Sequence, residues 1–164
     1  MKKNKSQLIL KADRPVYGGL SIGRHEGKVV MIKGSVLPGE TIEVNIEKEK
    51  KDYSIASVAR IIKSSPDRIE PACPYFATCG GCHLQYISYE RQVQIKEDIL
   101  RDCLKRLAKI DIDFSESILS ESQWNYRFRG QFKISHGRIG FYREKTREVI
   151  EIDNCPLMIR EVNE

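Results

Sequence analysis

The chain has 164 residues, enough for one ordinary domain or two small ones, and its 40% hydrophobic content can supply a core. It contains no run of 18 apolar residues, and its basic start, Met1-Lys2-Lys3-Asn4-Lys5, is not followed by a signal-peptide pattern, so no membrane partner and a cytoplasmic location are expected. The net charge of +5 is uneven: residues 1–65 hold 13 Lys and Arg against 7 Asp and Glu, and residues 66–164 hold 15 against 16, which makes the first part a basic unit suited to a polyanion.

Residues 6–62 read as all-β. Gln7–Leu10 and Lys28–Ile32 are short apolar runs, Thr41–Ile46 alternates with Ile42, Val44 and Ile46 on one face, and Tyr53–Ile62 is rich in β-branched residues. Gly18-Gly19, Gly23, His25-Glu26-Gly27, Gly34 and Pro38-Gly39-Glu40 punctuate them as turns. Four or five short strands in this length predict a small barrel of the oligonucleotide-binding type. The segment Tyr17–Arg24 is glycine-rich but opens no helix, so it is not a dinucleotide loop. It reads as a barrel turn where RNA can approach the backbone, with Arg24, Lys28 and Lys33 as phosphate partners.

Ser64-Ser65-Pro66-Asp67 marks a boundary, giving domains at 1–63 and 64–164. The second is expected to be an incomplete α+β domain. Val93, Ile99, Leu100, Cys103, Leu104, Leu107 and Ile110 recur at helical spacing over Tyr89–Ile110, with Ser88 at the N-cap position and Cys103 as a small core residue. From Tyr126 the period becomes two, and strands from Tyr126–Ser135, Arg138–Arg143 and Val149–Ile152 form an antiparallel meander.

Between the barrel and the helix lies Cys73-Pro-Tyr-Phe-Ala-Thr-Cys79-Gly-Gly-Cys82, and Cys155 follows the meander. Five cysteines make a poor disulfide framework in a reducing compartment. Two thiolates separated by two residues grip one metal centre readily. Cys73 reaches a third corner and Cys155 can close the set. Structural zinc usually pairs two Cys-x-x-Cys hooks, whereas one hook plus two outliers favours an iron–sulfur cluster. Zinc stays open, with His83 as a substitute for Cys155.

The meander also carries a basic face. Arg127, Arg129, Lys133, Arg138, Arg143, Lys145 and Arg147 crowd a short span, and such a face either tracks phosphates or is simply the solvated side of a sheet. Exposed aromatics such as Tyr142 offer stacking surfaces for unpaired bases. No Ser/His/Asp arrangement or Walker loop is visible, and His25, His83 and His136 are scattered in expected loops.

The block Cys73–Tyr86 closely resembles the cluster signature of bacterial RNA 5-methyluridine methyltransferases of the 23S rRNA (uracil-5-)-methyltransferase type. Val16–Gly23, Gly27–Val30 and Leu37–Glu40 resemble that family's TRAM domain, and Tyr126–Arg129, Ile139–Phe141 and Asn154–Leu157 resemble its central domain. The resemblance implies a [4Fe-4S] cluster on Cys73, Cys79, Cys82 and Cys155, an RNA partner (rRNA ahead of tRNA), and no particular protein partner. It also implies S-adenosylmethionine as the methyl donor, bound in a domain absent from this sequence, so no catalytic residue is expected here. The alternative is a free-standing RNA-binding module without enzymatic activity, stapled by a cluster or zinc.

Overall fold

The computed structural model describes residues 7–16 and 18–164; Met1–Lys5 of the basic start and Tyr17 of the glycine-rich segment lie outside the described residues. Contacts divide the chain into two units, one containing the chain through Arg68 together with Gln94–Phe114, the other containing Ile69–Val93 and Ser115–Glu164. A line drawn at residue 63 on composition therefore differs from the spatial grouping. Asp102 of the helical segment pairs with Arg14 of the first strand, which helps to group that segment with the barrel.

In the first unit, β1 (Gln7–Val16), β2 (Leu20–His25), β3 (Lys28–Lys33), β4 (Thr41–Glu49) and β5 (Tyr53–Lys63) form a closed barrel in the order β1-β2-β3-β5-β4. All pairings are antiparallel except β3 with β5. This is the expected oligonucleotide-binding-type barrel. Alternation places Leu10, Ala12, Val30, Ile32, Ile42, Val44 and Ala56 in the core together with Val36 from the β3–β4 connection.

The glycine-rich segment is corrected by the structure. Gly18-Gly19 turns, but Leu20–His25 is a full strand, and Arg24 stands on it opposite Val29. Gly23 is there for packing: a Cβ at this position would lie 2.6 Å from both Leu10 Cδ1 and the Lys11 carbonyl oxygen. His25, expected in a loop, is the last residue of that strand.

One carboxylate fastens the end of the barrel. The Glu40 side chain is fully buried and accepts hydrogen bonds from the Leu37 N–H (2.9 Å), the Ser65 N–H (3.1 Å), and Arg68 Nε and Nη2 (both 2.7 Å). Burial opposes its ionisation, but the Arg68 guanidinium and the two backbone donors outweigh it and hold the carboxyl below its ordinary range.

The helix α1 runs Tyr89–Cys103, one residue after Ser88, whose carbonyl accepts from the Gln92 N–H. It then widens to a π-helical turn over Leu104–Ala108 that ends on Lys109 in the left-handed region. The expected stripe is only partly buried. Ile95 is the fully buried position, Leu100, Leu107 and Ile110 are exposed, and Cys103 is half-buried rather than a core residue. Leu107 lies in the π turn and Ile110 beyond it, so neither continues the regular helical spacing of α1.

In the second unit, β6 (Lys133–Ser135), β7 (Arg138–Tyr142) and β8 (Val149–Glu151) form a three-stranded antiparallel sheet, and α2 (Arg160–Asn163) closes the described residues. The meander exists, but its first strand is far shorter than Tyr126–Ser135. Residues 125–127 pair instead with the segment after Cys155: the Asn125 N–H donates to the Pro156 carbonyl, the Arg127 N–H to Leu157, and the Ile159 N–H to Arg127. Tyr126, Phe128 and Ile134, which a two-residue period would put on one face, are all exposed. Close packing fixes β7 on β8, because a Cβ on Gly140 would lie 1.8 Å from the Ile150 carbonyl oxygen.

Candidate metal centre and nucleic-acid interface

The two parts of the cysteine set are carried by different elements and tied together by hydrogen bonds. The loop bearing Cys73, Cys79 and Cys82 docks on the end of β7. Cys79 bridges to Arg143, the Gly80 N–H donates to the Tyr142 carbonyl at 2.9 Å, and the Glu144 N–H donates to Thr78 at 3.0 Å. Gly80 sits so close to this strand that a Cβ would meet the Tyr142 oxygen and Glu144 Cα at 3.3 Å. Across the site, Tyr75 hydrogen-bonds Asp153 twice: its hydroxyl donates to Oδ2 at 2.9 Å and accepts from the Asp153 N–H at 3.2 Å. Asn163 of α2 then clamps the backbone of Cys155, accepting from its N–H at 2.9 Å and donating to its carbonyl at 3.2 Å.

The outcome is a cavity of about 40 Å³ lined by Cys73, Cys79, Cys82 and Cys155. Its remaining walls are largely apolar, from Phe76, Phe141, Ile152 and Leu157. That volume is roughly three times what one water needs. All four cysteines are free and half-buried. Burial pushes the Cys79 and Cys82 thiols up, the Gly81 N–H (3.4 Å from the Cys79 sulfur) and the Gln85 side chain oppose this, and the charges of the neighbouring cysteines push them further up.

Among the described residues, no three Cys, His, Asp or Glu side chains converge closely enough to hold one ion. A tetrahedral zinc site brings every sulfur within about 2.3 Å of a single centre. In a four-iron cluster each cysteine serves its own iron, so the sulfurs stand apart around a larger body. The lining brings four cysteines to one cavity, a donor set that suits either a thiolate-bound metal or a cluster. His83 is exposed and stands outside the lining.

The candidate RNA contacts fall into two groups. In the barrel, Arg24 is exposed on β2 with no ion pair among the described residues, whereas Lys28 pairs with Glu49 (3.2 Å) and Lys33 with Glu47 (2.7 Å). In the second unit, Arg127 is exposed and lines the cysteine cavity, Arg129 lies over the Phe128 ring at 5.5 Å, and Lys133 lies over the Tyr142 ring at 5.6 Å. Arg143 is held in a two-pronged pair with Glu148 at 2.7 and 3.1 Å. Sequence reasoning could not see these partners, because Glu47, Glu49 and Glu148 read as ordinary solvated acids. It also missed Tyr75, Gln85, Asp153 and Asn163; the placement of Tyr75 and Gln85 inside the cysteine block was the available signal.

Comparison with known proteins agrees with this architecture. Residues 8–59 match the TRAM domain family. The chain is 41% identical to an uncharacterized RNA methyltransferase of Aquifex aeolicus, covering 96% of this chain and 37% of that protein. It is 36% identical to a 23S rRNA (uracil(1939)-C(5))-methyltransferase of Shewanella amazonensis, covering 99% of this chain and 38% of that one. Nearly the whole of this chain is thus similar to one part of proteins named as RNA methyltransferases. It spans little more than a third of the length of these relatives. A solved structure, the Pyrococcus abyssi tRNA (uracil-54, C5)-methyltransferase in complex with S-adenosyl-L-homocysteine, aligns with a TM-score of 0.57 and 25% identity over 94% of this chain and 34% of that one. The TRAM match ends within β5, so the cysteine-bearing unit lies outside the matched domain.

Proposed function

We propose that this chain is the RNA-recognition portion of an S-adenosylmethionine-dependent RNA (uracil-5-)-methyltransferase acting on 23S rRNA in the cytoplasm. Residues 1–63 serve as the RNA-binding TRAM domain, and residues 64–164 as a central domain holding a [4Fe-4S] cluster on Cys73, Cys79, Cys82 and Cys155. The observation that carries the reading is the four-cysteine cavity in a chain that is 36% identical to a 23S rRNA (uracil-C(5))-methyltransferase across 99% of its length.

When bound, the cluster would supply a cross-link between the Cys73–Cys82 loop and the segment at Cys155. The chain's own residues do the rest: Tyr75 and Asp153 bring those segments together, and Asn163 fixes the Cys155 backbone. Methyl transfer belongs to the remaining length of the family, and no residue here is assigned to the methyl donor. For RNA, Arg24 is the contact with the least to give up, and Arg129 beside Phe128 offers cation and stacking face together. Lys28, Lys33 and Arg143 must exchange a carboxylate for a phosphate.

Binding of the chain to a 23S rRNA fragment and to tRNA, measured at several salt concentrations, tests this. The expected result is tighter binding to the rRNA fragment, with affinity falling as salt rises. Preference for tRNA would move the substrate assignment, and salt-independent binding would contradict the phosphate contacts.

A further inference from the structure

Gln85 is the polar residue of the cavity wall that reaches two of the four cysteines. Its Oε1 accepts the Cys73 N–H at 3.3 Å, and its side chain lines the cavity together with Cys82, whose thiolate form it favours. With the oxygen committed to Cys73, the amide NH₂ is the end turned to sulfur, and an N–H donor is what a metal-bound thiolate accepts. Its neighbours hold it rigidly. Tyr86 and Ile87 are buried, the Tyr86 carbonyl accepts from the Ile69 N–H at 3.0 Å, and the Tyr86 ring packs against Phe76, another wall residue, with centroids 6.0 Å apart. An amide on such an anchored turn has little freedom to swing away.

We infer that Gln85 is a positioning residue of the sulfur site, which sets the spacing of Cys73 and Cys82 through one amide and donates an N–H···S hydrogen bond that tunes the reduction potential of the bound cluster. This rests on the cluster reading above. Hydrogen bonds to cluster sulfurs stabilise the more electron-rich reduced state and so raise the potential. The alternative role, a wall residue that only fills space, gives no such dependence. Cys79 has a backbone donor, Gly81, which no side-chain substitution removes. That makes Gln85 a side chain whose hydrogen bond, rather than charge, can be removed by mutation.

The test loads the 164-residue chain anaerobically with iron and sulfide, as wild type, Gln85→Glu and Gln85→Leu. Three quantities are read: iron and sulfide content, reduction potential, and the rate of iron loss to a chelator. Gln85→Glu keeps an acceptor for the Cys73 N–H and replaces the donor with oxygen. It should load fully and be reduced only at a more negative potential. Gln85→Leu removes both bonds and should lose iron at least about tenfold faster. Gln85→Glu also adds a negative charge, which lowers the potential by itself, so if Gln85→Leu fails to load at all, the neutral and near-isosteric Gln85→Met, loaded in the same way, decides the matter. Wild-type potential and wild-type iron loss in the loaded variants would overturn the role of Gln85 and leave the cluster reading standing. A wild-type chain that takes up no iron and sulfide would overturn both.

Discussion

The barrel buries Leu10, Val30, Ile32, Ile42 and Val44 almost completely, whereas the unit bearing the cysteines buries Tyr86, Ile87, Val149 and Met158 and few other apolar side chains among the described residues. The barrel sheet closes on itself through five strands; the other unit has an open sheet with strands of 3, 5 and 3 residues. One part is held by its core and one buried ion pair, the other by backbone ties around four sulfurs. Small domains with little core need a staple, and metal binding then becomes folding free energy. On the proposed reading, the cysteines have a structural task that the barrel does not require.

The sharpest way to break this comparison is Cys79→Ser or Cys155→Ser. Either should remove stabilisation on the order of 10 kcal/mol from the second unit alone. Amide hydrogen exchange should show Ile69–Val93 and Ser115–Glu164 losing protection while β1–β5 retain theirs. Equal loss in both units would refute separate means of support.

A smaller effect of the opposite polarity comes from Arg68→Ala, which leaves Glu40 buried without its cation. About 3–5 kcal/mol should be lost from the barrel, read by urea denaturation, with iron content unchanged. The same carboxylate predicts a pH dependence. Its folded-state pKa lies below the ordinary 4.5, so its contribution is present above that value and disappears as pH falls through the folded pKa. Glu40→Gln should be less stable at neutral pH and should flatten that acid limb; an unchanged limb would place the sensitivity elsewhere.

Gly140→Ala should cost the second unit about 1–3 kcal/mol through overpacking against the Ile150 carbonyl. A thermal scan of the loaded protein should show the shift confined to that unit. The smallest effects concern RNA. Arg24→Ala should weaken binding and lower the salt slope by about 1, and Lys28→Ala should do less, because Lys28 already pairs with Glu49. Equal effects in a salt titration would mean that the ion pair is not retained in competition with RNA.

The barrel was legible because its alternation is regular: Ile42 and Val44 on one face of β4 suffice to orient it. The cysteine constellation was legible because Cys73, Cys79 and Cys82 sit close in sequence and Cys155 stood out beside them. Legibility failed where long-range contacts overrode local pattern. Tyr126–Phe132 has the period of a strand, yet Arg127 pairs with the segment after Cys155 and the strand begins only at Lys133. Leu107 and Ile110 have helical spacing but follow a π turn, which periodicity cannot register. Gly23 reads as punctuation in sequence and proves to be a contact point within a strand, since its reason is the neighbouring Leu10. The ion pairs of Lys28 and Lys33 join residues 21 and 14 positions apart, which no local pattern announces.

Metal analysis of the anaerobically purified chain tests the central claim most directly. A brown protein with about four iron and four sulfide per chain is the predicted result. A colourless protein holding one zinc, or no metal with the second unit still fully folded, would contradict it.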